Sequence, residues 1–145
     1  MGNLISRNNS GFDLTLTLPD SQVVLFRNTA ELNSTELGET TVTHQTTPIY
    51  TFTLYQGIHI AEITSIDLNG AVTFKNNTGE DLTLVLPTGM ATAFPKGQTA
   101  VYSNTGTYSA HAGPSLPTPI YNFKYHRGII AVDVNDIVKQ PPKVN

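Results

Sequence analysis

The stretch NNSGFDLTLTLP (residues 8–19) returns as NNTGEDLTLVLP (residues 76–87), at an offset of 68 and with nine of twelve positions unchanged. Within each, leucines alternate with threonine or valine: Leu14, Leu16 and Leu18 in the first, Leu82, Leu84 and Leu86 in the second. A period of two is that of a β-strand, whose successive side chains leave on opposite faces. The leucines therefore share one face and the threonines take mainly the other. Turn residues bracket both stretches: Asn9-Ser10-Gly11 and Asn77-Thr78-Gly79 ahead, Pro19-Asp20 and Pro87-Thr88-Gly89 behind. Asn and Gly there supply the positive-φ positions that tight connections need.

A second pair of stretches lies further along. TPIYTFTLYQGI (residues 47–58) and TPIYNFKYHRGI (residues 118–129) match at seven of twelve positions, at an offset of 71. Tyr50, Phe52 and Leu54 alternate with polar residues, as do Tyr121, Phe123 and Tyr125. Two ordered blocks at nearly one spacing argue for a duplicated unit. The three-residue difference falls on the Pro-rich insert GPSLPTP (residues 113–119), and insertions belong in surface loops.

No window carries a helical period; residues 29–37 read as a loop or a single helical turn. Short strands between regular turn signals predict an all-β sandwich or barrel. It should consist of two tandem sequence repeats, about residues 3–68 and 71–138, related by a pseudo-two-fold axis. A unit of that size cannot cover its own apolar face, so the two are expected to pack face to face around one core. The result is a single domain spanning residues 1–145, with an extended tail at 139–145. Phe12, Phe26, Phe94 and Tyr102 are assigned to the core by spacing.

Composition narrows the function classes. The chain has 145 residues, 8 Lys+Arg against 11 Asp+Glu, and no cysteine. Disulfide frameworks, thiolate metal sites and cysteine nucleophiles are thereby excluded. A net charge of −3 with no basic cluster leaves nothing to neutralise a run of phosphates, so nucleic acid is not an expected partner. Apolar stretches reach only about five to seven residues, far short of a spanning helix. No charged and then apolar leader opens the chain. The expectation is a soluble protein without a signal peptide, cytoplasmic or released without a conventional signal.

Several local patterns have bland readings. Gly2 with Ser6 fits an N-myristoylation pattern, but no polybasic partner accompanies it, and Leu4 and Ile5 suit a first strand. The Asn-x-Ser/Thr sequons at Asn8, Asn33 and Asn76 read as turn chemistry, two of them being the repeated turn itself.

Histidine is where catalytic or metal chemistry would have to reside. ETTVTH, ending at His44, and GTYSAH, ending at His111, align at an offset of 67. Glu62 and Asp133, which follow them, align at 71. His44, Glu62, His111 and Asp133 are therefore the candidate metal ligands, as two equivalent sites or one shared on the axis. Against them, neither HxH nor HExxH spacing occurs, and a structural role is favoured. His59 and His126 have no histidine counterpart. Phosphate-cradling Gly-rich loops and nucleophile elbows are absent, so no catalytic residue is assigned and no cofactor is expected.

Tyr55 and Tyr108 are the candidate exposed aromatics; with His44 and His111 they make up the candidate binding residues. An exposed tyrosine in a Thr/Asn-rich rim suits sugar or protein recognition. The expected function is a non-enzymatic binding or assembly module, lectin-like in composition, meeting a carbohydrate, a protein or a membrane surface. The competing classes are a membrane-active toxin component and a small enzyme or metal site on His44/His111 with Glu62/Asp133. Open sheet edges would also admit a homodimer.

Overall fold

A computed structural model describes residues 2–67, 69–112 and 119–137. The tail at 139–145 and all but the last residue of the Pro-rich insert lie outside the described residues. The strands run, in chain order, β1 (Gly2–Asn8), β2 (Leu14–Thr17), β3 (Val23–Phe26), β4 (Glu31–Ser34), β5 (Gly38–His44), β6 (Thr47–Leu54) and β7 (Gly57–Ser65). They continue with β8 (Val72–Asn76), β9 (Leu82–Val85), β10 (Ala91–Phe94), β11 (Thr99–Tyr102), β12 (Gly106–His111), β13 (Tyr121–Tyr125) and β14 (Ile129–Asp136).

They form two sheets, one of six strands in the order β11-β8-β14-β7-β1-β4 and one of eight in the order β10-β9-β12-β13-β6-β5-β2-β3. The architecture is an all-β sandwich. Neighbours are antiparallel except β1 beside β7 and β8 beside β14, which are parallel. Parallel neighbours need a long crossover, and here the intervening strands of the other sheet supply it.

Strands from both ends of the chain enter both sheets, joined by β6–β13 in one and β7–β14 in the other. This corrects the expectation of two units packed face to face. Each half of the chain contributes strands to both layers, and the sheets continue edge to edge where the halves meet.

The alternation read from the sequence is the alternation of burial. Leu14, Leu16, Leu82 and Leu84 are buried, whereas Thr15, Thr17, Thr83 and Val85 are only partly so. Tyr50, Phe52, Tyr121 and Phe123 fill the centre, with Phe52 stacked on Tyr121 and Tyr50 tilted on Phe123, each at 5.0 Å between ring centres. Such pairs add to the transfer energy of the rings themselves.

Two other expectations fail. Residues 31–34, read as a loop or helical turn, are strand β4, pairing with β1 through Leu4–Ser34 to Arg7–Glu31. Phe12 is 49 % exposed, its ring 5.2 Å from that of His44, because it lies in the turn before β2. Phe26 and Phe94 are buried and Tyr102 is half-buried.

Candidate binding groove

The four central strands of the eight-stranded sheet, β12, β13, β6 and β5, turn their polar positions outward. Registers align these positions in two rows. Ser109, Asn122, Thr53 and Glu39 form one; Thr107, Lys124, Thr51 and Thr41 form the other. Each alternates with an inward residue on its own strand, apolar except for Gly38 and Thr40 of β5. Burial of Tyr50, Phe52, Phe123 and Tyr108 is thus what aims most of the hydroxyls, the amide and the lysine at solvent.

Between these rows lies a shallow groove of about 350 Å³, lined by Glu39, Thr51, Thr53, Tyr55, Thr107, Asn122 and Lys124. A hydrogen-bond chain crosses it. Ser109 Oγ donates to Asn122 Oδ1 at 2.7 Å, and Asn122 Nδ2 donates to Tyr55 OH at 3.3 Å. Thr41 and Thr51 hydroxyls bond at 3.1 Å. The backbone N–H groups of Tyr55 and Gln56 both donate to Ile120 O, which fixes where the tyrosine leaves the strand. The residue is 37 % exposed, and its ring is held at the hydroxyl end.

The charges in the groove stand apart. Glu39 on β5 and Lys124 on β13 are separated by β6 and by one row, about 12 Å between backbones from ordinary sheet spacings. Both are exposed, and the ion pair among the described residues is Arg7–Glu31 on the other sheet. His126, two positions beyond Lys124 along the chain, has its pKa lowered by burial and then by that lysine.

Of the residues singled out from sequence, Tyr55 lines the groove. Tyr108 does not: it is 0 % exposed, and its hydroxyl donates to Asn104 O at 2.5 Å. Its place in β12, alternating with Thr107 and Ser109, turns it inward with Ala110.

The proposed metal quartet is not assembled. His44 and His111 end strands of the eight-stranded sheet, whereas Glu62 and Asp133 lie in β7 and β14 of the six-stranded one. Among the described residues no group of three or more His, Asp or Glu is placed to hold a metal ion. Glu62 accepts a hydrogen bond from Asn9 Nδ2 at 2.5 Å. The Asp133 carboxyl has its pKa raised by burial, against the pull of Lys75.

The two histidines are also not matched in register. Thr83 lies opposite His111, and Thr15 opposite Thr43, so Thr43 rather than His44 holds the place of His111. Gly38 lies opposite Leu54 and Gly106 opposite Tyr125, so β5 and β12 already correspond at an offset of 68 rather than 67 from their first residues.

His59, which sequence left unassigned, is wholly buried in the aromatic centre. Its ring lies 5.4 Å from Phe52 and 5.1 Å from Tyr121. Its Nε2 donates to Gln56 O at 2.7 Å, since a carbonyl can only accept, and burial holds its pKa down at about 4. It is a core histidine.

Sequence reasoning missed Glu39, Thr51, Thr53, Thr107, Asn122 and Lys124. Their outward direction follows from the period of two, but their convergence depends on which strands become neighbours. Comparison with protein families and with curated proteins finds no match to this sequence, so the groove stands on its own chemistry.

Proposed function

We propose that this chain is a non-enzymatic carbohydrate-binding module, formed by duplication of one seven-stranded unit, with the groove across β5, β6, β13 and β12 as its sugar site. The observation that carries the reading is an exposed tyrosine ring, anchored by Asn122, at the edge of a floor of hydroxyl and amide side chains. A pyranose presents an apolar C–H face and a rim of hydroxyls; an aromatic ring takes the first, and Thr, Asn and carboxylate groups take the second. The volume is at the small end for ligand sites, which suits a sugar unit or two at a chain end.

Duplication is supported by the strand order. Outward from the central pair, β7-β1-β4 mirrors β14-β8-β11, and β6-β5-β2-β3 mirrors β13-β12-β9-β10. The groove then falls at the junction of the two units. There Glu39, Tyr55 and Lys124 face Thr107, His126 and Thr53 at the corresponding positions. Divergence at these three places would make the site single and directional, one ligand per chain.

The test is a glycan array followed by titration of the best hits, observed by NMR. Binding at one site, weakened at least tenfold by Tyr55→Ala with an otherwise unchanged spectrum, is the expected result. Absence of binding to any glycan at millimolar concentration, or binding indifferent to Tyr55→Ala, would refute it.

A further inference from the structure

We infer that the sugar taken by the groove is an acidic one, with its carboxylate received by Lys124 and neighbouring hydroxyls by Glu39; this rests on the carbohydrate reading above. Lys124 stands on β13 between Thr107 of β12 and Thr51 of β6, so its ammonium has neutral hydroxyls on both flanks and no carboxylate across either strand. His126, two residues on, has its pKa lowered by burial first and then by this lysine. This corner of the groove is positive and uncompensated.

A neutral sugar laid there would cover an ammonium without supplying a counter-charge, which is unfavourable. A carboxylate supplies one and converts the contact into a charge-assisted hydrogen bond, about twice as strong as a neutral one. Thr107 and Asn122, beside the lysine, add a hydroxyl and an amide that can donate to the same group.

Glu39 stands on the far side of β6 from that corner. Its backbone lies about 12 Å from that of Lys124 by sheet geometry. A carboxylate there is acceptor-only and can take two adjacent hydroxyls at once, the pattern of a vicinal diol. The two charges thus read opposite ends of one sugar: an acid group near β13 and a diol near β5. Tyr55, two residues beyond Thr53 of β6, packs on the ring from the Asn122 end of the groove.

The experiment uses the full chain and matched probes, the methyl glycosides of glucose and galactose against those of glucuronic and galacturonic acid. Titration in 50 mM salt should find at least one uronate bound ten times or more tighter than its neutral partner. That margin should shrink several-fold in 500 mM salt, and Lys124→Met should abolish it. Glu39→Gln should weaken neutral and acidic probes alike. Bound uronate should also raise the pKa of His126, followed through its ring protons, because an anion at Lys124 offsets the repulsion. Neutral glycosides binding as well as the uronates would overturn the acidic assignment and leave the carbohydrate reading standing. No binding by any of the four, together with an empty glycan array, would end both.

Discussion

Asn8 and Asn76 make the same hydrogen bonds 68 residues apart. Each is fully buried, and each Nδ2 donates to two carbonyls, Phe12 and Phe26 for one and Glu80 and Phe94 for the other. Each Oδ1 accepts from the backbone and hydroxyl of the residue two places on, Ser10 or Thr78. Replacing either by Ala orphans buried carbonyls in a turn, at about 2–4 kcal/mol. Urea unfolding of Asn8→Ala and Asn76→Ala should give losses of similar size, whereas exposed Asn77→Ala should cost under about 1 kcal/mol.

Stability should fall in acid through His59. Burial lowers its pKa from 6.5 to about 4 in the folded chain, so unfolding between those values takes up a proton. Its contribution is complete above pH 6.5 and is lost as pH drops toward 4, on the order of 3 kcal/mol in all. Asp133 acts in the opposite sense, its raised pKa favouring the folded state as pH falls. The comparison that isolates the histidine is His59→Leu. This variant should be less stable at pH 7 but show a flatter dependence from pH 6.5 to 4.5 by urea titration.

Backbone crowding distinguishes glycines of like conformation. A Cβ on Gly57 would lie 2.6 Å from Asp136 O, and one on Gly128 2.5 Å from Ser65 O, both at positive φ. Gly11 has φ +88 but open space around it. Gly11→Ala should therefore cost about 1 kcal/mol from conformation alone. Gly57→Ala and Gly128→Ala should cost roughly 3 kcal/mol or more, since the β7–β14 contact must shift as well. Thermal melts of the three variants would check the order.

Tyr108 and Tyr55 should separate stability from binding. Tyr108→Phe removes a hydroxyl that donates to Asn104 O and should lower stability by about 1–2 kcal/mol while leaving glycan affinity unchanged. Tyr55→Ala should do the reverse, with a melting temperature within a few degrees of the parent. Loss of binding in Tyr108→Phe with its fold intact would remove the groove from consideration.

The leucine ladders and the Tyr50/Phe52 and Tyr121/Phe123 alternations were legible because their strands have one buried face and one solvated one. Strands β3 and β4 were not, since Val23 and Leu25 point outward on an edge and break the expected contrast. The inward direction of Tyr108 was present in the alternation of residues 106–111, where Tyr108 and Ala110 are the apolar members. The His44–His111 pairing misled because matching the two histidines imposes an offset of 67, whereas the strand pairings hold β5 and β12 at the 68 of the leucine stretches. Glu39 and Lys124 could not be brought together on paper. Their meeting depends on β6 pairing with β13 across some seventy residues of chain.

That pairing governs how the molecule comes into being. Leu54 meets Tyr121 and Ile63 meets Ile130, so neither sheet can be completed until the C-terminal third has been translated. Contacts of such long sequence separation make folding slow, in the millisecond-to-second range, because loop closure must precede any gain. A nascent chain released near residue 70 would carry Thr47–Leu54 and Gly57–Ser65 as two long, apolar-backed edges, paired with β5 and β1 on one side and open on the other. Those edges would seek each other in neighbouring molecules, so truncated products should accumulate as aggregates and exchange-dimers rather than as monomers.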